Sequence, residues 1–159
     1  MSIEYSLGKS EQKLVLADAA LSHMKRRQQR RWWQREAGGQ LFARFLDAQI
    51  IVEEATGPRF GDKRSRVSYI PYPAAEQREI DKRFKLGLHY VGDWHTHPEQ
   101  VPTPSGSDIV SIRNCFVMSR HDLDAFLLVI VGLAPLPGGL HVSLHGGKAP
   151  IILQGTYSL

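Results

Sequence analysis

Two histidines, a serine and an aspartate in the second half of the chain have the types and spacing of a catalytic metal site. His95 and His97 stand two residues apart, Ser105 follows after seven residues, and Asp108 follows after two more. Side chains two apart on a strand point to the same face, so both imidazoles can reach one divalent ion. A nearby carboxylate would be the third ligand and would leave a fourth tetrahedral position for water, as in catalytic zinc sites. Zinc lowers the pKa of that water toward ~7, which makes hydroxide available at neutral pH.

These residues also have a purely structural interpretation. A serine with an acid three residues later is a common helix start, and Ser105 and Asp108 fit that pattern. The four residues at this spacing are nevertheless expected only about 0.001 times by chance in a chain of this composition. The two interpretations are compatible, because Ser105 can begin the helix while its hydroxyl faces the metal. Other histidines, such as His141 and His145, show no matching partner pattern.

The four residues resemble the signature of the JAMM/MPN+ zinc metallopeptidases, also called the JAB domain family. In that family a glutamate lies upstream and is followed by a glycine-rich turn and an apolar run, and the segment EAGGQLF that starts at Glu36 matches this. The resemblance implies one catalytic Zn2+ held by His95, His97 and Asp108. It also implies that Glu36 is the general base and that Ser105 stabilises the oxyanion.

The wider sequence is also similar to a bacterial subgroup of this family. The segments ATGP at residues 55–58 and GDWHTHPE at residues 92–99 resemble the JAB isopeptidases of CBASS antiphage operons. Such a protein would cleave after the C-terminus of a ubiquitin-like protein or of a conjugated cyclic-nucleotide synthase. An enzyme with E1-like and E2-like parts, encoded in the same operon, would be its functional partner.

Three other functions stay open at this point. One is a JAB peptidase of a bacterial ubiquitination-like operon, and another is a non-catalytic MPN scaffold. The third is a nucleic-acid-binding module, because residues 25–35 combine a basic run with Trp32 and Trp33. For this segment we expect an amphipathic helix with a solvated basic face and one tryptophan packed on the core, and therefore no nucleic-acid partner.

The sequence predicts that the helices and strands that position the site form one α+β domain over residues 1–159. Apolar spacing and helix formers predict three helices, over residues 17–34, 74–85 and 108–118. Strand patterns predict a mixed sheet of about six or seven strands. A loop is expected over residues 59–66 and a strand over residues 67–72. The order of these elements resembles the MPN/JAB fold.

Composition excludes several classes of protein. The 159 residues are 42% hydrophobic and 23% charged, as in soluble globular domains, and the net charge is +4. The longest apolar run has about ten residues where a membrane-spanning helix needs roughly 20, so we expect no membrane partner. The single cysteine, Cys115, excludes an intrachain disulfide and a four-cysteine zinc site. The polar first 13 residues lack the apolar core of a signal peptide, so we expect a cytoplasmic protein.

Overall fold

A computed structural model of the chain describes residues 1–158, which form three helices and eleven strands. The helices are α1 Asp18–Lys25, α2 Pro73–Phe84 and α3 Gly106–Met118. The strands are β1 Ile3–Ser6, β2 Lys13–Leu16, β3 Gly38–Phe45, β4 Gln49–Ala55, β5 Lys63–Arg64, β6 Tyr69–Ile70, β7 His89–Thr96, β8 Ala125–Val131, β9 Leu140–Gly146, β10 Ile151–Ile152 and β11 Gly155–Tyr157. Within this range no helix is both long enough and apolar enough to cross a membrane.

Nine strands form one mixed sheet in the order β10-β9-β8-β7-β3-β4-β2-β1-β11, and β5 pairs with β6 in a separate hairpin. The α+β class is confirmed, but the expected six or seven strands are too few. The additional strands are mostly two to four residues long and lie at sheet edges or in the hairpin. Such short strands form by pairing with a neighbour and leave little periodic signal in the sequence.

The sheet separates two apolar clusters, and β8 contributes to both. Its residues at even positions from Phe126 to Ile130 pack with Ile112 of α3. Its residues at odd positions from Leu127 to Val131 belong to the larger cluster, which includes Leu21 of α1. Burial on both faces explains why β8 reads as an unbroken apolar run.

Strand β7 lies near the centre of the sheet, where it pairs antiparallel with β3 and parallel with β8. Its register with β3 skips Val91, which marks a bulge beside Gly92. Gly92 has a φ of +151°, and a Cβ atom there would lie 1.9 Å from the carbonyl oxygen of Leu127. The bulge therefore needs glycine. It lies three residues before His95 and forms part of the strand that carries the histidines.

The helix expected over residues 17–34 is wrong in length, because α1 ends at Lys25. The chain then continues irregularly with Gln28 and Gln29 buried. The side-chain amide of Gln28 donates to the carbonyl oxygen of Gly132 at 2.7 Å, and that of Gln29 donates to the carbonyl oxygen of Arg66 at 3.1 Å. These long-range hydrogen bonds override the high helix propensity of the segment.

Two further expectations about exposed segments are corrected. Neither Trp32 nor Trp33 packs on the core, since 74% and 55% of their surfaces are exposed. The loop expected over residues 59–66 contains β5, and the strand expected over residues 67–72 is reduced to β6. Together β5, β6 and their connection form one short hairpin that follows β4.

We expect Gly92→Ala to lower the free energy of unfolding by about 1–3 kcal/mol, because the new methyl group would collide with backbone of β8. Urea-induced unfolding followed by tryptophan fluorescence measures this. Gly147→Ala is the matched control, since a Cβ atom there meets nothing within 4 Å. Equal unfolding midpoints for the two variants would contradict the assigned role of the bulge.

Candidate metal centre

Two imidazoles meet at the carboxyl end of β7. His95 lies between Gly38 of β3 and Ile130 of β8 in the sheet, so its backbone is held from both sides. His97 follows the last residue of the strand, and its backbone N–H donates to the carbonyl oxygen of Val131 at 3.0 Å. The Nε2 atoms of the two histidines are 3.2 Å apart. The spacing of two residues along the strand thus brings both rings to one point.

The first turn of α3 delivers a carboxylate to the same point. Oδ2 of Asp108 lies 3.2 Å from Nε2 of His95 and 3.2 Å from Nε2 of His97. A capping box holds this turn: the backbone N–H of Ser105 donates to Oδ2 of Asp108 at 2.8 Å, and that of Asp108 donates to Oγ of Ser105 at 3.1 Å. The structure therefore shows the helix cap formed by this serine–aspartate pair, and the position of the Asp108 carboxylate is compatible with a ligand role.

The three converging atoms have the size of a zinc site. Tetrahedral zinc with ligand atoms at ~2.0–2.1 Å separates those atoms from one another by about 3.3 Å. The Nε2 atoms of His95 and His97 and Oδ2 of Asp108 form a triangle with 3.2 Å edges. Two imidazoles and one carboxylate are also a donor set that zinc accepts. These residues therefore fit the ion that the sequence pattern implies.

The carboxylate of Glu36 is the fourth group at this point, and it is buried, with 5% of the residue exposed. One of its oxygens lies within 4.8 Å of a ring nitrogen of each histidine, so its position allows either a ligand or a base. The backbone of Glu36 is fixed by the hairpin. Its N–H donates to the carbonyl oxygen of Ser65 at 2.6 Å, and its carbonyl oxygen accepts from Nε of Arg64 at 2.8 Å.

The two carboxylates differ in their affinity for protons. Burial raises the pKa of Glu36 and outweighs the opposing effect of His95 and His97. Burial also acts to raise the pKa of Asp108, but hydrogen bonds from both histidines hold it well below its usual value. The hydrogen bond to Asp108 in turn raises the pKa of His97. A carboxyl group that binds protons more readily than usual beside one that stays ionised is a common arrangement for acid–base chemistry.

The hydroxyl of Ser105 is committed to local contacts. Its oxygen accepts from the backbone of Asp108 and lies 3.0 Å from Oγ of Ser107. The residue is exposed at the start of α3. The helix cap is thus observed, and stabilisation of an oxyanion by Ser105 stays a prediction.

A hydrogen-bonded network behind the histidines was not identified from the sequence. The hydroxyl of Thr96, between the two histidines, donates to Oε1 of Gln29 at 2.9 Å and accepts from the backbone N–H of Ala37 at 3.0 Å. The amide of Gln29 continues to the carbonyl oxygen of Arg66 in the hairpin. The network ties the strand of the histidines to the residue after Glu36. Single Gln and Thr residues carry no spacing signal that could have revealed it.

Three alternating residues of β9 form a second buried polar group. Nε2 of His141 and Nε2 of His145 each lie 2.8 Å from Oγ of Ser143. Burial lowers the pKa of both histidines, which favours their neutral forms. Their partner is therefore the serine between them on the same face of the strand, a contact that the sequence analysis did not identify.

Comparisons with known proteins show which sequences this chain resembles. A family model described as prokaryotic homologs of the JAB domain matches residues 18–139. A protein of Pseudomonas aeruginosa named CD-NTase/cGAS isopeptidase is 36% identical over 100 residues, which cover 61% of this chain and 63% of that protein. The protein of the same name from Enterobacter hormaechei is 31% identical over 124 residues, which cover 75% and 68%. A probable metalloprotease of Sinorhizobium fredii is 33% identical over 88 residues, which cover 52% and 54%.

The matched segments cover only part of the related isopeptidases, and one solved structure shares the fold of this chain. The matches span a little over three fifths of the Pseudomonas aeruginosa isopeptidase and of its Vibrio cholerae counterpart, 63% and 62% of their lengths. The solution structure of protein DSY2949 from Desulfitobacterium hafniense has a TM-score of 0.60 and 18% sequence identity. That match covers 86% of this chain and 87% of the other. At this identity the likeness shows a shared fold.

We expect Gln29→Leu to lower the free energy of unfolding by about 1–3 kcal/mol, because it removes the acceptor for the Thr96 hydroxyl proton and the side-chain donor to the Arg66 carbonyl oxygen. Urea-induced unfolding measures the change. Gln77→Leu on the exposed face of α2 is the control, and there we expect less than about 0.5 kcal/mol. Equal effects of the two substitutions would show that the network is not a significant support of the strand.

Proposed function

We propose that this chain, which belongs to the family of prokaryotic homologues of the JAB domain, hydrolyses amide bonds at a single zinc ion. The observation that carries the proposal is the triangle of ligand atoms with 3.2 Å edges formed by His95, His97 and Asp108. Asp108 is the third ligand because its oxygen lies at the ligand-to-ligand distance of zinc from both rings. Glu36 is then available as the general base.

The roles of the residues follow from this assignment. When bound by His95, His97 and Asp108, the ion supplies a Lewis acid and lowers the pKa of a water molecule. Glu36 accepts a proton from the attacking water and returns it to the leaving amine. Its raised pKa favours the acceptance of this proton. Ser105, at the exposed start of α3, donates a hydrogen bond to the oxyanion that develops on the substrate carbonyl.

The substrate is a protein conjugate joined through a C-terminal carbonyl. Relatives at 29–36% identity are named for isopeptidase action on CD-NTase/cGAS proteins. By extension, this chain removes a conjugated cyclic-nucleotide synthase, or a ubiquitin-like protein, from a target amine in CBASS antiphage defence in the cytoplasm. An E1/E2-like enzyme of the same operon makes the conjugates. A JAB peptidase of a ubiquitination-like operon would cut the same kind of bond after a different tail.

A non-catalytic scaffold accounts less well for the site. Asp108 and Glu36 place two carboxylates beside two partly buried imidazoles, and burying such groups together is costly unless a cation is shared among them. A domain that only bound partners through its surface would gain nothing from this arrangement.

Zinc analysis separates the ligands from the base. We expect about one zinc ion per purified wild-type chain. In Asp108→Ala we expect the affinity for zinc to fall by more than about 100-fold, because loss of a metal ligand costs more than the roughly 10- to 100-fold typical for loss of a residue that hydrogen-bonds to a ligand. Glu36→Gln should keep the metal. Elemental analysis and competition with a chromophoric chelator measure both quantities. Zinc loss in Glu36→Gln as complete as in Asp108→Ala would make Glu36 a ligand, and a wild type unable to bind zinc would contradict the proposal.

Cleavage tests the base. The substrate is a peptide with the C-terminal tail of a CD-NTase joined through an isopeptide bond to lysine. Zinc-loaded Glu36→Gln should show a kcat about 10²- to 10⁴-fold below that of the wild type, the usual contribution of general acid–base catalysis. Lys148→Ala, at an exposed residue in the connection between β9 and β10, should keep full activity. Unchanged turnover by Glu36→Gln would disprove the assigned role.

A further inference from the structure

The residues immediately before Glu36 form a fixed loop beside the metal centre. We call residues 30–35 the tryptophan loop and residues 65–68 the hairpin turn. The loop is attached to the hairpin at both ends: Gln29 donates to the carbonyl oxygen of Arg66 at 3.1 Å, and Glu36 donates to that of Ser65 at 2.6 Å. The two segments are therefore held next to each other, and the tryptophan loop leads directly into the proposed base.

The tryptophan loop holds its shape by internal hydrogen bonds. The backbone N–H of Arg31 donates to Oε1 of Gln34 at 2.7 Å, and the backbone N–H of Gln34 donates to the carbonyl oxygen of Arg31 at 3.0 Å. Trp32 and Trp33 lie between these residues with their rings edge to face, 5.9 Å between centroids. Two neighbouring tryptophans that are more than half exposed on an ordered loop are typical of a surface that a partner covers.

The sequence segments that contain the tryptophans and the hairpin turn are basic. Between Asp18 and Glu36 the sequence has six cations and no acid, and between Asp62 and Glu76 it has three cations and no acid. These cations are Lys25, Arg26, Arg27, Arg30, Arg31, Arg35, Lys63, Arg64 and Arg66. In the hairpin turn, Val67 adds an apolar side chain that is 86% exposed. The complementary partner is a segment that carries both carboxylates and apolar side chains.

We infer that the tryptophan loop and the hairpin turn bind an acidic, apolar peptide segment of the protein substrate, next to the bond to be cut. The inference rests on the proposed function, and it names a feature that selects the substrate. Because Glu36 directly follows the loop, a segment seated on this surface is held beside the metal centre. Its binding energy lowers KM for substrates that carry the segment.

The geometry favours a peptide over a nucleic acid. The guanidinium of Arg31 lies 5.2 Å from the centroid of the Trp33 ring and covers one of its faces. The edge-to-face arrangement of Trp32 and Trp33 offers no parallel pair of faces on which successive bases could stack. Val67 contributes aliphatic surface, which suits leucine-like side chains.

Paired fluorogenic probes test the inference with the zinc-loaded full chain. All probes share one tail and one isopeptide-linked lysine. Each probe also carries a short flanking segment. In the acidic probe this segment consists of Asp and Leu, and in the neutral probe it consists of Asn and Ser. Both kinds of probe are made with the segment on one side of the isopeptide bond and, separately, on the other side. We expect kcat/KM about tenfold higher for the acidic probe in at least one placement, through KM and with kcat unchanged.

Surface variants locate this preference. Arg31→Glu/Arg66→Glu and, separately, Trp32→Ala/Trp33→Ala should abolish the preference for the acidic probe and leave kcat on the neutral probe unchanged. The control Lys82→Glu/Lys85→Glu makes the same change in net charge at the exposed end of α2 and should keep the preference. Matching thermal unfolding of all variants shows that folding is intact.

The outcomes separate the inference from the proposed function. Cleavage of acidic and neutral probes with equal efficiency in both placements overturns the inference and leaves the enzyme assignment standing. If no probe is cleaved, the enzyme assignment fails, and fluorescence anisotropy with the labelled acidic segment judges the surface alone. If the wild type binds the labelled acidic segment and the surface variants do not, the proposed binding surface is supported. If the wild type does not bind the segment, the inference is overturned. Tighter, steeply salt-dependent binding of a labelled DNA or RNA strand than of the acidic segment also overturns it.

Discussion

The candidate metal centre places two carboxylates and two imidazoles in a small, partly buried volume, and the need to balance their charges constrains the structure around it. Asp108 contributes to the raised pKa of Glu36, and the histidines act in the opposite direction. Without a shared positive charge, the carboxylates would repel each other in surroundings that screen charge poorly. In the function proposed for this chain, a divalent cation held by His95, His97 and Asp108 would balance these charges.

The four side chains keep their positions because neighbouring elements fix the backbone of each residue that carries them. Strand β7 carries His95 between two neighbours in the sheet, α3 presents Asp108 from a capped first turn, and the hairpin fixes the backbone of Glu36. Close approach of strands is part of this arrangement. A Cβ atom at Gly39 would lie 1.7 Å from the carbonyl oxygen of Thr56, so β3 needs glycine where it meets the end of β4. The glycine-rich start of β3 therefore has a steric cause.

The segment between α1 and β3 does not adopt the structure that its local sequence favours. Its sequence favours a helix, yet two buried glutamines hold it in an irregular path along the hairpin. That path buries hydrogen bonds and exposes two tryptophans beside Glu36. The cost of exposing apolar surface is consistent with a loop whose binding partner covers it.

The sequence by itself determined those features that depend on nearby residues. The spacing of His95 and His97, the capped start of α3 and the doubly buried β8 all follow from local periodicity and capping chemistry. The tertiary structure decided what depends on residues far apart in the chain. It ended α1 at Lys25, formed the short edge strands and placed Glu36 beside the histidines some sixty residues later. Such contacts leave no periodic trace in the sequence, because their energy comes from partners that only folding brings together.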